Sequence, residues 1–128
     1  PSLYTIASAC RPVIREIGVF NTTSTAVLVA INRLTARGTP GTGITAAKHV
    51  SDGPAADATP YQTHTADATA GDEIARSQLG AAVGSGMVWT FGADGLIIPA
   101  GANTAGVGIL CPSGSTGQLL DFYIIWDE

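Results

Sequence analysis

Residues 118–128 read Gln-Leu-Leu-Asp-Phe-Tyr-Ile-Ile-Trp-Asp-Glu. Within them Leu120, Phe122, Ile124 and Trp126 alternate with Asp121, Tyr123, Ile125 and Asp127. That period of two puts alternate side chains on opposite faces of a β-strand. Four large apolar groups on one face require a core to cover them, so the stretch predicts a long strand with one fully apolar face.

The same reading extends towards the N-terminus. Residues 25–34, TAVLVAINRL, place Ala26, Leu28, Ala30 and Asn32 on one face and Val27, Val29, Ile31 and Arg33 on the other. Both faces are apolar for most of their length, which predicts a central strand buried on both sides. Residues 13–20 form a further strand candidate, and Asn21-Thr22-Thr23-Ser24 supplies turn chemistry after it, predicting an N-terminal hairpin. Other strand candidates are 3–7, 61–66, 86–91, 96–99 and 105–111. About eight strands separated by Gly, Pro, Asn and Ser clusters predict an all-β fold, a single jelly-roll-like β-sandwich domain over residues 1–128. Only 72–79, opened by Asp72 and Glu73, and 45–49 offer short helical turns.

Residues 36–60 differ in kind, being rich in Gly, Thr, Pro and Ala with few large apolar side chains. They predict an extended loop or arm that orders against a neighbouring subunit.

Composition points the same way. Of 128 residues 45% are hydrophobic, but only 12% are charged, about half the roughly 25% usual for soluble domains. A chain with one lysine lacks the mixed charge that coats a free monomer, which favours a surface covered by neighbours. A Thr, Ser and Gly surface is the plainer alternative. The net charge is −4, and Arg11, Arg15, Arg33, Arg37, Lys48 and Arg76 are scattered. No basic stripe exists to neutralise a phosphate backbone, so no nucleic-acid partner is expected. No apolar run reaches the length of a spanning helix, and the first ten residues lack the basic segment of a signal peptide. The expectation is a soluble chain with no membrane partner, made in the host cytoplasm.

The motifs that carry chemistry fail one by one. Gly38-Thr39-Pro40-Gly41-Thr42-Gly43-Ile44-Thr45 has P-loop glycine spacing, but Ile44 stands where the phosphate-binding lysine belongs. His49 and His64, the only histidines, form no HxH or HxxxH pair. A metal site with Asp52 or Asp57, or a cupin-like enzyme, would rest on these two histidines alone. No GxSxG elbow occurs. Asp72-Glu73 and Asp127-Glu128 read as charge near a helix start and at the chain end, not as glycosidase carboxylates. Cys10 and Cys111 have no metal spacing and read as buried free thiols, with an inter-strand disulfide as the lesser alternative. Trp89, Phe91, Phe122, Tyr123 and Trp126 suit core packing, although Trp89 or Tyr123 would also serve as the stacking surface of a carbohydrate-binding module. No catalytic residue, metal ligand or cofactor is expected.

The run Trp89-Thr90-Phe91-Gly92 through Gly95-Leu96-Ile97-Ile98-Pro99-Ala100-Gly101, then Gly106-Val107-Gly108-Ile109 and Asp121-Phe122-Tyr123-Ile124-Ile125-Trp126-Asp127-Glu128, resembles small virion proteins of tailed bacteriophages. Ile17-Gly18-Val19-Phe20-Asn21-Thr22-Thr23 through Arg33-Leu34-Thr35 and Gly38-Thr39 is similar to the same group. The resemblance is one of style, hydrophobic strands joined by Thr, Gly and Ala loops. It implies a non-enzymatic structural subunit of the virion, often trimeric, that decorates or cements the head beside the major capsid protein or forms part of the tail or baseplate. It brings no catalytic residues. The predicted contact regions are 1–10, the arm 36–60, and the rim loops 65–71 and 100–104. The predicted interface residues are Leu3, Tyr4, Ile44, Lys48, His49, Tyr61 and His64.

Overall fold

The computed structural model describes residues 1–5, 11–101, 104–112 and 119–128. Its strands in chain order are β1 (Ser2–Thr5), β2 (Val13–Asn21), β3 (Val27–Ala36), β4 (Thr39–Pro40), β5 (Ala58–Tyr61), β6 (His64–Ala66), β7 (Thr69–Leu79), β8 (Gly86–Thr90), β9 (Leu96–Ile97), β10 (Gly106–Leu110) and β11 (Leu120–Asp127). Among the described residues there is no helix, and the fold is all-β.

Among the described residues every strand pairing is antiparallel. A five-stranded sheet runs β5-β1-β10-β3-β7; a second runs β11-β2-β8, with β9 also pairing with β2; β4 and β6 form a two-stranded ribbon. One cluster of buried side chains draws on both larger sheets. Leu3, Val27, Val29, Ile31, Val107 and Ile109 come from the first, and Ile14, Ile17 and Val19 from the second. Leu120, Phe122, Ile124 and Trp126 pack against this cluster from β11, so the period of two along this strand marks its inner face. The β3 strand lies inside its sheet, between β10 and β7, and is buried along most of its length, because Val27, Val29 and Ile31 on one face and Leu28, Ala30 and Leu34 on the other leave it no solvated side there.

Three local expectations are overturned. Residues 72–79 are not a helix but lie in β7, paired with β3 from Val27↔Leu79 to Ala36↔Thr69 with register shifts between. Sheet pairing and burial of Leu79 override the helical propensity of its Ala, Glu, Arg, Gln and Leu residues. Residues 45–49 also form no helix. Finally, β2 and β3 are not a hairpin, since they belong to different sheets. Asn21, wholly buried, makes the crossing: its Nδ2 donates to the carbonyls of Thr25 and Gly80, and its Oδ1 accepts from the Thr23 N–H and hydroxyl. A buried amide satisfied on both ends fixes the course of the arch between the sheets.

The 61–66 candidate divides into β5 and β6, and the strand candidates at 3–7 and 105–111 appear as β1 and β10. Residues 6 and 7 of the first candidate lie outside the described residues.

Candidate interaction site

The predicted contact residues fall into three environments. Leu3 and Tyr4, on β1 between β5 and β10, have no exposed surface, and Leu3 belongs to the core. They offer nothing for a partner to touch, which corrects their assignment as interface residues. Their hydrophobicity serves the chain's own interior.

Tyr4, Tyr61 and His64 do converge. Their rings meet pairwise at centroid distances of 6.4 Å for Tyr4–Tyr61, 6.2 Å for Tyr4–His64 and 6.1 Å for Tyr61–His64. The Tyr4 hydroxyl donates to the Arg37 carbonyl at 3.3 Å, and the Arg37 guanidinium stands 5.8 Å from the Tyr61 ring centre, within cation–π range. Ser2 Oγ and His64 Nε2 are 2.7 Å apart. Burial pushes the Tyr4 phenol up to about 12, and burial likewise moves the His64 imidazole below its ordinary value. Both shifts express one fact, that charge is disfavoured in this cluster. Sequence reasoning places Ser2 and Arg37 within the contact regions 1–10 and 36–60 but does not join them to this cluster, because the Ser2–His64 contact spans positions 62 residues apart.

Beside this cluster lies an open cavity of about 510 Å³ whose lining includes Ser2, Leu34, His64, Asp67 and Cys111. Cys111 is a half-buried free thiol, and burial raises its pKa, so the reactive thiolate is suppressed. Cys10 lies outside the described residues. Ser2 is 1% exposed, so its hydroxyl is better placed to pin β1 to β6 than to attack a substrate. Among the described residues no three His, Cys, Asp or Glu side chains gather where they could hold a metal ion.

Ile44, Lys48 and His49 lie on the arm, and all three are exposed. The first part of the arm folds onto its own chain: β4 pairs with β6, Gly43 bridges Tyr61, and the Ile44 N–H donates to the Pro60 carbonyl at 3.0 Å. Its far end is fastened by Glu128, whose carboxylate accepts the Asp57 and Ala58 N–H groups at 2.6 and 2.7 Å. Between these anchors, Lys48 Nζ donates to the Gly53 carbonyl at 2.7 Å. A cavity of about 350 Å³ separates Lys48, His49 and Val50 from the end of β11. The excursion is mostly exposed, with Val50 at 65%. Of the rim loops, 65–71 is largely taken up by the end of β6 and the start of β7, while residues 102 and 103 of the other lie outside the described residues.

The two aromatic candidates for sugar stacking separate. Trp89 packs against the core from β8, whereas Tyr123 lies on the outer face of β11, stacked on Phe20 at 6.3 Å with its hydroxyl donating to Glu16 at 2.6 Å.

The chain matches no family model, no curated protein and no solved structure.

Proposed function

We propose that this chain is a non-enzymatic structural subunit of a tailed-phage virion, a decoration or cement protein that associates with copies of itself and with the major capsid protein on the head. In this reading the two larger sheets are the layers of one jelly-roll-like β-sandwich domain. The observation that carries the proposal is the surface. A chain with 12% charged residues exposes Ile44, Val50, Val83, Met87, Val88, Ile97, Leu119 and Tyr123. Large apolar exposure with so little charge suits a protein that works covered by neighbours.

The charges that are present support the same reading. Arg15 pairs with Asp127 at 2.6 Å, Arg76 pairs with Glu73 at 2.5 Å, and the Arg33 guanidinium donates to the Ile97 carbonyl. These cations are occupied within the fold, which argues against a phosphate backbone as partner. The arm residues Ile44, Lys48, His49 and Val50 remain as the contact surface towards the capsid.

Antibody labelling of purified virions from the source culture tests this. Label on the head shell is the expected result, and virions without label would overturn the proposal.

A further inference from the structure

Among the described residues, three of the four outer edges of the two large sheets are guarded. The β5 edge carries Pro60 and is capped by the Gly43–Tyr61 bridge. The β7 edge carries Asp72, Glu73 and Arg76, and its ladder is interrupted by register shifts. The β11 edge carries Asp121 and Asp127 and has a register shift at Ile125/Trp126. Charge, proline and bulges are the devices by which edge strands avoid pairing with other chains. Within β8 itself there is none of them, although the same side of β2 continues past a turn at 91–95, which carries Asp94, into β9. Gly86-Met87-Val88-Trp89-Thr90 holds no charge and no proline, and it runs in unbroken register along β2. Met87 is 39% exposed and Val88 42%.

The hydrogen bonds at either end of β8 fix which of its backbone groups are free. Asn21 N donates to the Ser85 carbonyl, and Phe91 N donates to the Arg15 carbonyl. Antiparallel ladders alternate, so Met87 and Trp89 also turn their backbone groups towards β2, while Gly86, Val88 and Thr90 turn theirs away. These three positions are spaced evenly about Val88. A strand of the same sequence laid antiparallel across this edge sets Val88 opposite Val88 and Gly86 opposite Thr90, each pair exchanging both its hydrogen bonds. The edge is complementary to itself.

We infer that β8 is a two-fold interface at which a second copy of this chain pairs its own β8, joining two β11-β2-β8 sheets into one. A two-fold contact requires a self-complementary patch, and the register about Val88 supplies one. The strip carries no charge to select a different, charged partner. On the outer face Val88 and Tyr123 flank Gly18 from either side, so pairing would set the two Val88 side chains together on that face, with Phe20 and Tyr123 and the carboxylates of Glu16 and Asp121 set back from the axis on β2 and β11. The inference rests on the self-assembly part of the proposed function and not on the virion assignment.

Residue-resolved hydrogen exchange, read together with solution mass, tests it on the wild type, Val88→Lys and Val88→Thr. In the wild type the Gly86, Val88 and Thr90 amides should exchange at least about tenfold slower than in Val88→Lys, where two ammonium groups would face each other across the axis. The Met87 and Trp89 amides should stay protected in both, which reports that β8 still pairs with β2. Val88→Thr, neutral and β-branched, should keep the wild-type pattern and mass. A wild type that self-associates while Gly86, Val88 and Thr90 exchange freely overturns this interface and leaves self-assembly standing. A wild type of 12.9 kDa at every concentration overturns both. The wild-type pattern decides the matter even if Val88→Lys does not fold.

Discussion

Tyr4 faces Gly106 across the β1–β10 ladder, and its ring occupies the space that a side chain on Gly106 would need. A Cβ there would also come 2.8 Å from the Leu3 carbonyl oxygen. Neither neighbour can yield easily, because Tyr4 is wholly buried and the other atom is backbone. Gly106→Ala should therefore destabilise the fold by about 2 kcal/mol through overpacking, after the smaller gain from restricting the unfolded chain. Denaturant unfolding should show a lower midpoint with an unchanged slope. Gly18→Ala is the control. There the obstacle is the partly exposed ring of Tyr123, which can swing aside, so the loss should be much smaller.

Glu128 closes the arm by accepting two backbone N–H groups, and it also accepts the Trp126 indole N–H at 2.8 Å. Glu128→Ala should release the excursion over residues 45–57 and speed its proteolytic cleavage while the strands persist. Limited proteolysis followed by mass spectrometry would locate the cuts, and an unchanged cleavage rate would refute the anchoring role.

His64 gives the fold a pH dependence whose sign follows from burial. Its folded pKa lies below the ordinary value of 6.5, so between the two values the unfolded chain binds more protons than the folded one. Stability from this group is complete above pH 6.5 and declines as pH falls through that window. The slope should shrink in His64→Gln, which keeps a polar side chain near Ser2. Thermal melts of both proteins from pH 7.5 to pH 5 would show it, and parallel curves would contradict it.

Trp89 and Tyr123 should behave oppositely on truncation. Trp89→Ala removes a side chain packed on the core and should cost about 2–3 kcal/mol. Tyr123→Ala removes an outer ring and should leave the melt close to wild type. A glycan array that found a ligand lost in Tyr123→Ala, with the fold intact, would replace the structural reading by a carbohydrate-binding one.

These predictions draw on features that were unequally legible in the sequence. The inner face of β11 and the burial of β3 could be read directly, because a period of two and a run of β-branched residues are properties of single strands. The β7 strand could not. Its Asp-Glu start and its Ala, Arg, Gln and Leu residues favour a helix locally, and only the pairing with β3 reverses that preference. Asn21 to Ser24 has turn chemistry whether the chain returns beside itself or crosses to another sheet, so the arch between β2 and β3 was hidden. At the candidate site, Tyr61 and His64 were found as residues but not as a cluster with Ser2, Tyr4 and Arg37, since their contacts span long separations. Leu3 and Tyr4 show the converse error, in which apolar character meant core and not contact surface.

The claim on which the account depends most is self-association, and light scattering on the purified chain across a range of concentrations measures it directly. The account predicts a mass that rises to a closed multiple of 12.9 kDa, containing an even number of chains if β8 supplies the two-fold contact. A constant mass of one chain at every concentration would contradict it.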